Sequence, residues 1–326
     1  MSASSRETDI FLGQAEAEQT LLQAWRRGRL HHAWLLTGPS GIGKATLAGR
    51  FARVVLAGTE PEAAARRIAA GTHADLLVVA RAMDDKRQRL RTEIVVDDVR
   101  PIRAFLHRTA AEGGWRVVIV DGADHLNRHA ANALLKLLEE PPARALILLT
   151  SSAPGRLLPT LRSRCRTLRL SPLDEPSMHE VLGRQLPDLP ADQRQILIEL
   201  SDGSPGRAMA LAADDGVALS GLVRGLLSRH DRPVGPWSYE LVDTVLRRDN
   251  GFSTFIGLLS AAISTTIRET VRTSGSTGAG RLSSSRPPEA WAGLCEDLAH
   301  LRDETESLNL DKRQALLAGL SLLSGS

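Results

Sequence analysis

The chain has 326 residues, of which 42% are apolar, 24% are charged and 3% are aromatic. This composition excludes wholesale disorder and favours two or three globular domains with aliphatic cores. The apolar runs are far too short for a membrane span, and the N-terminal residues contain no signal-peptide core. The two cysteines, Cys165 and Cys295, are too few for a disulfide scaffold. We therefore expect a cytoplasmic protein with reduced cysteines.

The charge balance is close to neutral, with 41 Lys and Arg against 38 Asp and Glu, which gives a net charge of +3. A basic surface for nucleic acid depends on clustered charge rather than on a small total excess. The charge balance alone therefore leaves the class of partner open.

Six short aliphatic segments in the first half of the chain predict the strands of one sheet. Their hydrophobicity is continuous rather than alternating, which is typical of strands buried on both faces of a parallel sheet. Helical patterns separate them, including one that runs from Lys44 to a stop near Gly58 and one over residues 128–139 that ends against two prolines. We therefore predict an α/β domain with strands at residues 33–37, 76–79, 94–96, 116–120, 146–150 and 167–170.

After Pro172 the sequence predicts helices only, first three short ones and then longer ones. We place an α/β domain at residues 1–171, a small helical lid at 172–213 and an all-helical domain at 214–326. Within the last of these, residues 273–285 are rich in Ser, Thr and Gly, which predicts a loop between helices.

A glycine-rich segment between the first strand and the following helix matches the Walker A phosphate-binding loop. Gly38, Gly41 and Gly43 allow successive backbone N–H groups to surround phosphate oxygens, and Lys44 reaches the β- and γ-phosphates. The next position normally carries the Ser or Thr that binds Mg²⁺, and here it is Ala45. Thr46 follows one helical step later, so its hydroxyl should point elsewhere.

The predicted Walker B strand ends in Asp121, the acidic residue that holds Mg²⁺ through water. The position of the glutamate that activates the attacking water is Gly122, and Asp124 lies too far along the chain to replace it. We therefore expect hydrolysis to be lost, whereas Gly38, Gly41, Gly43, Lys44, Ala45, Thr46 and Asp121 still form a degenerate site that binds ATP or ADP weakly or without magnesium. A plain glycine-rich turn with no ligand remains the alternative.

A longer pattern resembles the AAA+ clamp-loader family. It comprises the NALLK-LEEPP helix of residues 132–142, the LLTS strand end at 148–151 and the triplet Ser163-Arg164-Cys165. The resemblance extends over roughly residues 10–212 and implies an AAA+ P-loop domain, a helical lid and a helical collar domain. It implies that Arg164 is an arginine finger that reaches the γ-phosphate held by a neighbouring ATPase subunit.

The resemblance also implies the partners and the process. They are ATPase subunits of the tau or gamma type, a delta-type subunit, the sliding clamp, and primer–template DNA contacted through its phosphates. The chain would be a component of a DNA-directed DNA polymerase holoenzyme with no ATPase activity of its own. Two alternatives stay open, namely an active AAA+ ATPase and a small-molecule P-loop kinase.

The remaining candidate residues are assigned structural roles. Many members of the family carry a four-cysteine zinc module after the P-loop helix, but residues 54–76 contain no cysteine, so we predict no zinc. Arg207 lies one position later than the sensor-2 arginine of active relatives, which argues against a direct contact with nucleotide. Cys165 is expected to be a small buried residue rather than a reactive thiol. Structural or exposed positions are expected for His31, His32, His73, Asp75, His125 and His129.

Overall fold

The computed structural model describes residues 11–58, 60–84, 89–111, 114–228, 235–273 and 286–324. The chain divides into two compact units, the first formed by residues 1–188 and 201–207 and the second by residues 189–200 and 208–326. In these described ranges, no helix combines the length and the hydrophobicity needed to cross a lipid bilayer. The boundaries at residues 171 and 213 stay a prediction.

A five-stranded parallel sheet forms the centre of the first unit. Its strands are β1 (Ala33–Thr37), β2 (Leu76–Val79), β5 (Arg116–Val120), β6 (Ala145–Ser151) and β7 (Arg166–Arg169). They lie in the order β2-β5-β6-β1-β7. Every residue of β1 and β6 is buried, as their continuous aliphatic sequences predict, whereas the edge strands β2 and β7 are more exposed. This arrangement confirms the α/β fold class and agrees with the AAA+ domain that the resemblance implies. A separate antiparallel ribbon pairs β3 (Met83–Asp84) with β4 (Arg89–Leu90).

Helices surround this sheet and bury one apolar face each. The helix that follows β1 buries Leu47, Phe51 and Val55, while Val54 remains 39% exposed. The helices of the first unit are α1 (Ala15–Arg26), α2 (Lys44–Leu56), α3 (Pro61–Ala69), α4 (Val96–His107), α5 (Arg128–Glu139), α6 (Pro159–Arg162) and α7 (Glu175–Gln185).

The second unit is helical throughout its described residues. Its aliphatic and aromatic core includes Phe252, Phe255, Trp291 and Leu298, and α12 packs against both α10 and α13. Its helices are α10 (Gly216–Leu227), α11 (Pro236–Leu246), α12 (Gly251–Thr273), α13 (Pro288–Leu308) and α14 (Lys312–Ser324), and α8 (Ala191–Ser201) and α9 (Pro205–Ala213) have residues in both units.

One predicted strand is wrong. Ile94 makes a single parallel bridge to Leu126, and the chain then enters α4 at Val96. The side chain of Asp98 accepts a hydrogen bond from the backbone N–H of Val95 at 2.8 Å, which begins the helix where the aliphatic pattern suggested a strand. The predicted loop at residues 273–285 lies outside the described residues, apart from Thr273 at the end of α12.

Candidate functional site

The predicted Walker residues meet at the carboxyl edge of the parallel sheet. In the strand register Thr37 of β1 lies beside Ser151 of β6, and Val120 of β5 lies beside Leu149. Because neighbouring parallel strands end at the same edge, the loop after β1 and the residues after β5 and β6 are brought together. The structure therefore assembles Lys44 and Asp121 in one site, although they are far apart in the sequence.

Three glycines of the loop at residues 38–43 have positive φ angles. Gly38, Gly41 and Gly43 have φ angles of +146°, +76° and +99°, values that strain other residue types. Protein atoms also approach all three glycines closely, and a Cβ atom at Gly41 would lie 2.7 Å from the backbone nitrogen of Arg207. A Cβ atom at Gly38 would lie 2.6 Å from the carbonyl oxygen of Leu170, and one at Gly43 would lie 3.2 Å from the Phe11 ring. Glycine is therefore required here by packing as well as by the backbone angles.

Lys44, the first residue of α2, turns back over this loop. Its Nζ donates hydrogen bonds to the carbonyl oxygens of Gly38 and Pro39 at 2.7 and 2.6 Å and to Oγ of Ser152 at 2.9 Å. An ammonium group has three donors, so these three acceptors use all of them. Burial lowers the pKa of Lys44, and the negative charges of Asp124 and Asp121 act in the opposite direction. The side chain is 7% exposed, which makes it part of the loop's internal structure.

Asp121 lies directly after β5 and is oriented by the end of β6. Its Oδ1 accepts a hydrogen bond from Oγ1 of Thr150 at 2.8 Å, and the same Thr150 oxygen accepts one from the backbone N–H of Gly122, also at 2.8 Å. Asp124 accepts a hydrogen bond from the backbone N–H of Ser152 at 3.2 Å. Thr150 and Ser152 are thus site residues that sequence reasoning missed, although Thr150 lies within a motif that the sequence singles out.

The groups at the site suit the binding of a phosphate group better than magnesium-dependent hydrolysis. Backbone N–H groups at the α2 N-terminus are donors that suit phosphate oxygens, and Lys44 adds a positive charge beside them. Ala45 has a methyl group where a Mg²⁺ ligand is needed, and Gly122 has no carboxylate to activate water. Gly122 also has a φ of +81°, so a larger side chain at this position is strained.

The segment that precedes α9 lies directly against the loop, within the first unit. Oγ of Ser204 donates to the carbonyl oxygen of Ser40 at 2.7 Å, and the backbone N–H of Gly206 donates to the carbonyl oxygen of Gly41 at 2.9 Å. A Cβ atom at Gly206 would lie 2.8 Å from Cα of Gly41. These two glycines allow the two backbones to touch.

Arg207, the candidate sensor-2 arginine, makes an ion pair next to this contact. Its Nη1 donates to Oδ2 of Asp202 at 2.8 Å, and both side chains are partly exposed. In this arrangement the guanidinium is directed to a carboxylate of its own segment.

The candidate arginine finger lies two residues after α6. Nη1 of Arg164 donates to the carbonyl oxygen of Thr160 at 2.8 Å, and Nη2 lies 2.6 Å from Oε1 of Glu139 at the end of α5. The side chain of Arg164 is 35% exposed. Glu139 is a partner of Arg164 that sequence reasoning missed.

Cys165, the residue after Arg164, is partly buried. Cys165 packs against the core formed by the sheet and its helices, and burial raises the pKa of its thiol to about 12. At neutral pH it is therefore a protonated, weakly nucleophilic thiol, as the sequence suggested.

The histidines singled out in the sequence are also engaged in local contacts. His31 and His32 stack with their ring centroids 4.3 Å apart, and Nε2 of His32 bonds to the carbonyl oxygen of Leu138 at 2.9 Å. Nδ1 of His73 accepts from the backbone N–H of Asp75 at 3.2 Å. Among the described residues, no group of three or more His, Cys, Asp or Glu side chains is arranged to hold a metal ion. The absence of zinc stays a prediction.

A comparison with protein families matches residues 13–174 to the model described as the DNA polymerase III, delta subunit. The matched segment contains the sheet, Lys44, Asp121 and Arg164.

Three relatives illustrate the similarity. The DNA polymerase III subunit delta' of Pseudomonas aeruginosa is 42% identical over 193 residues, covering 57% of this chain and 57% of the relative. Subunit delta' of Escherichia coli is 36% identical over 205 residues, covering 60% of this chain and 59% of the relative. Subunit tau of Salmonella typhimurium is 30% identical over 236 residues, covering 68% of this chain and 35% of the relative. The similarity to the two delta' proteins therefore spans less than two thirds of their length.

Proposed function

Because this chain belongs to the DNA polymerase III delta' family of clamp-loader subunits, we propose that it is a non-hydrolysing subunit of a clamp-loader complex. In this role it helps to place the sliding clamp on primed DNA and supplies Arg164 to a neighbouring ATPase subunit of the tau type. The chain contributes to a DNA-directed DNA polymerase holoenzyme without turning over ATP alone.

The observation that carries the non-hydrolysing role is the composition of the site around Lys44. The framework of a P-loop ATPase is present, but Ala45 and Gly122 remove the magnesium ligand and the group that activates water. The three hydrogen bonds of Lys44 to its own loop and to Ser152 compete with any phosphate for the same cation. We therefore propose that ATP or ADP binds weakly and without a need for magnesium.

The partial exposure of the Arg164 side chain supports a role of this residue in a neighbouring subunit. Arg164 lies far along the sequence from Lys44, and about one third of its side chain is exposed, at 35%. An arginine supplied in trans stabilises the charge of the transition state, and such residues contribute about 10³ to 10⁵ in rate in well-studied phosphoryl-transfer systems. A neighbouring subunit that binds Mg²⁺-ATP in an intact site is the partner that this chemistry requires.

The proposed assembly follows the relatives, which are themselves named as delta' and tau subunits of DNA polymerase III. We propose a hetero-oligomer in which this chain contacts tau- or gamma-type ATPase subunits and a delta-type subunit. Contacts with primer–template DNA would be made to phosphates and would not read the base sequence.

The proposal is tested by measuring steady-state ATP hydrolysis with Mg²⁺ and primed DNA, for the chain alone and for the complex with its partner subunits. We expect no turnover from the chain alone. In the complex, Arg164→Ala is expected to lower turnover at one ATPase site by at least about 100-fold while assembly is unchanged.

Lys44→Ala serves as the control, because it disrupts this chain's own loop and leaves the sites of the partners intact. Turnover by the isolated chain that is abolished by Lys44→Ala would show an active AAA+ ATPase and contradict the proposal. Full turnover of the complex with Arg164→Ala would contradict the role of the arginine.

A further inference from the structure

Arg164 is held by two different elements of the first unit. The carbonyl oxygen of Thr160 in α6 accepts from Nη1 at 2.8 Å, and Oε1 of Glu139 in α5 lies 2.6 Å from Nη2. Two of the terminal N–H donors of the guanidinium are thereby directed into the protein. Since a guanidinium has five N–H donors, donors remain for a second acceptor outside the chain.

The position of Glu139 is unfavourable for the helix that carries it. Glu139 is the last residue of α5, and a negative charge at the C-terminus of a helix opposes the helix dipole. Its neighbour Glu140, at the C-cap, is exposed and adds a second negative charge. A residue that weakens its own element and pairs with a candidate functional group is best explained by the function of that group.

We propose that Glu139 is a positioning residue that orients Arg164 toward the γ-phosphate of the neighbouring subunit. This inference rests on the proposed function, since it requires Arg164 to act on a partner's ATP. A free arginine side chain samples many rotamers, and fixing it before the partner docks removes that entropic cost from the transition state.

The support for Glu139 is rigid. Leu134, Leu137 and Leu138 of α5 are buried in the core of the first unit, and Pro141 and Pro142 end the helix directly after the two glutamates. The carboxylate is therefore carried by an element that is buried in the core and packs against α4 and α6. This is the arrangement expected of a residue that fixes the direction of another side chain.

The test compares Glu139→Ala, Glu139→Gln and the matched control Glu140→Ala in the complex with ATP-hydrolysing partner subunits, primed DNA and clamp. Glu139→Ala is expected to lower kcat about 3- to 10-fold and to change KM for ATP by less than about 2-fold. Glu139→Gln should stay within about 2-fold of the unchanged chain, because its amide oxygen still accepts the hydrogen bond. Glu140→Ala should have no effect.

A second readout separates positioning from general stability. The complex is titrated with ADP plus aluminium fluoride, which mimics the transferred phosphoryl group, and with ADP alone. Glu139→Ala should weaken binding of the mimic by the same factor as kcat and leave ADP binding unchanged. The melting temperature of the chain should not fall, since the substitution removes a charge that opposes the helix dipole. In the double variant, Glu139→Ala should add nothing to Arg164→Ala.

The outcomes distinguish this inference from the function on which it rests. If Arg164→Ala lowers turnover but Glu139→Ala does not, the positioning role is wrong and the arginine finger stands. If Glu139→Ala raises turnover, the carboxylate withholds the arginine and the inference is overturned. If Arg164→Ala itself has no effect, the proposed function fails and the positioning role fails with it.

Discussion

At the scale of single residues, the adjacent residues Arg164 and Cys165 have different surroundings. Arg164 is partly exposed and pairs with Glu139, whereas Cys165 next to it packs against the core. Both residues are partly buried, and the packing of Cys165 anchors the segment that carries the arginine. Cys165 therefore contributes through packing, and its thiol chemistry is suppressed.

Cys165 should react very slowly with iodoacetamide in the folded chain. Because burial raises its pKa to about 12 from 9.0, the thiolate fraction at pH 8 is about three orders of magnitude smaller than in the unfolded chain. The rate is measured by mass spectrometry in a Cys295→Ser background, with and without denaturant. Equal rates in both conditions would contradict the buried environment.

At the scale of elements, the contact between the P-loop and the start of α9 depends on two glycines. The backbones of Gly41 and Gly206 touch, and Ser204 is hydrogen-bonded to the carbonyl oxygen of Ser40. A contact between backbones leaves no room for a methyl group and cannot be relieved by a change of rotamer.

Gly206→Ala should destabilise the first unit by about 1 to 3 kcal/mol, because its Cβ would lie 2.8 Å from Cα of Gly41. Gly155→Ala is the matched control in the same unit, since nothing lies within 4 Å of a Cβ at that position. It should change stability by less than about 0.5 kcal/mol. Urea unfolding of both variants measures the difference, and equal effects would show that the backbone contact is not close.

The elements show clearly where sequence reasoning is sufficient. Continuous aliphatic runs predict β1 and β6 because burial on both faces requires them, and Pro141 with Pro142 predicts the end of α5. The same reasoning fails at Ile94, which makes one β-bridge instead of starting a strand. The chain enters a helix at the next residues because Asp98 accepts a hydrogen bond from the backbone N–H of Val95.

The site follows a similar division. The loop with Lys44 and the strand end with Asp121 are each recognisable because each belongs to a short local motif. Ser152 bonds to Lys44 across 108 residues, and Ser204 bonds to the loop across 164 residues. Such partners are set by the order of strands and by the path of the chain, which no local pattern encodes.

At the scale of the whole molecule, titratable groups limit the pH range in which the first unit is stable. Burial lowers the pKa of His32 and of His125, so the folded chain binds fewer protons than the unfolded chain as the pH falls through 6.5. Cys165 has the opposite sign, because its raised pKa contributes stability below pH 9.0 that is lost as the pH rises toward about 12.

The free energy of unfolding should therefore fall as the pH drops below about 6.5. On the alkaline side the raised pKa of Cys165 lowers stability, and the lowered pKa of Lys44 opposes this effect. Urea unfolding across pH 5 to 10 measures this profile. The variant His32→Gln, whose amide can still donate to the carbonyl of Leu138, should reduce the loss on the acidic side. If the free energy of unfolding of this variant falls as steeply at acidic pH as that of the unchanged chain, His32 does not contribute to the loss.

The hydrogen bond from Ser204 to Ser40 also has a consequence for synthesis on the ribosome. The two residues are 164 positions apart, and translation at 5 to 20 residues per second separates them by roughly 8 to 33 s. During this interval the carbonyl oxygens of Ser40 and Gly41 lack the donors that Ser204 and Gly206 supply in the folded chain. These two carbonyl groups therefore stay hydrogen-bonded to water until the segment before α9 has been synthesised.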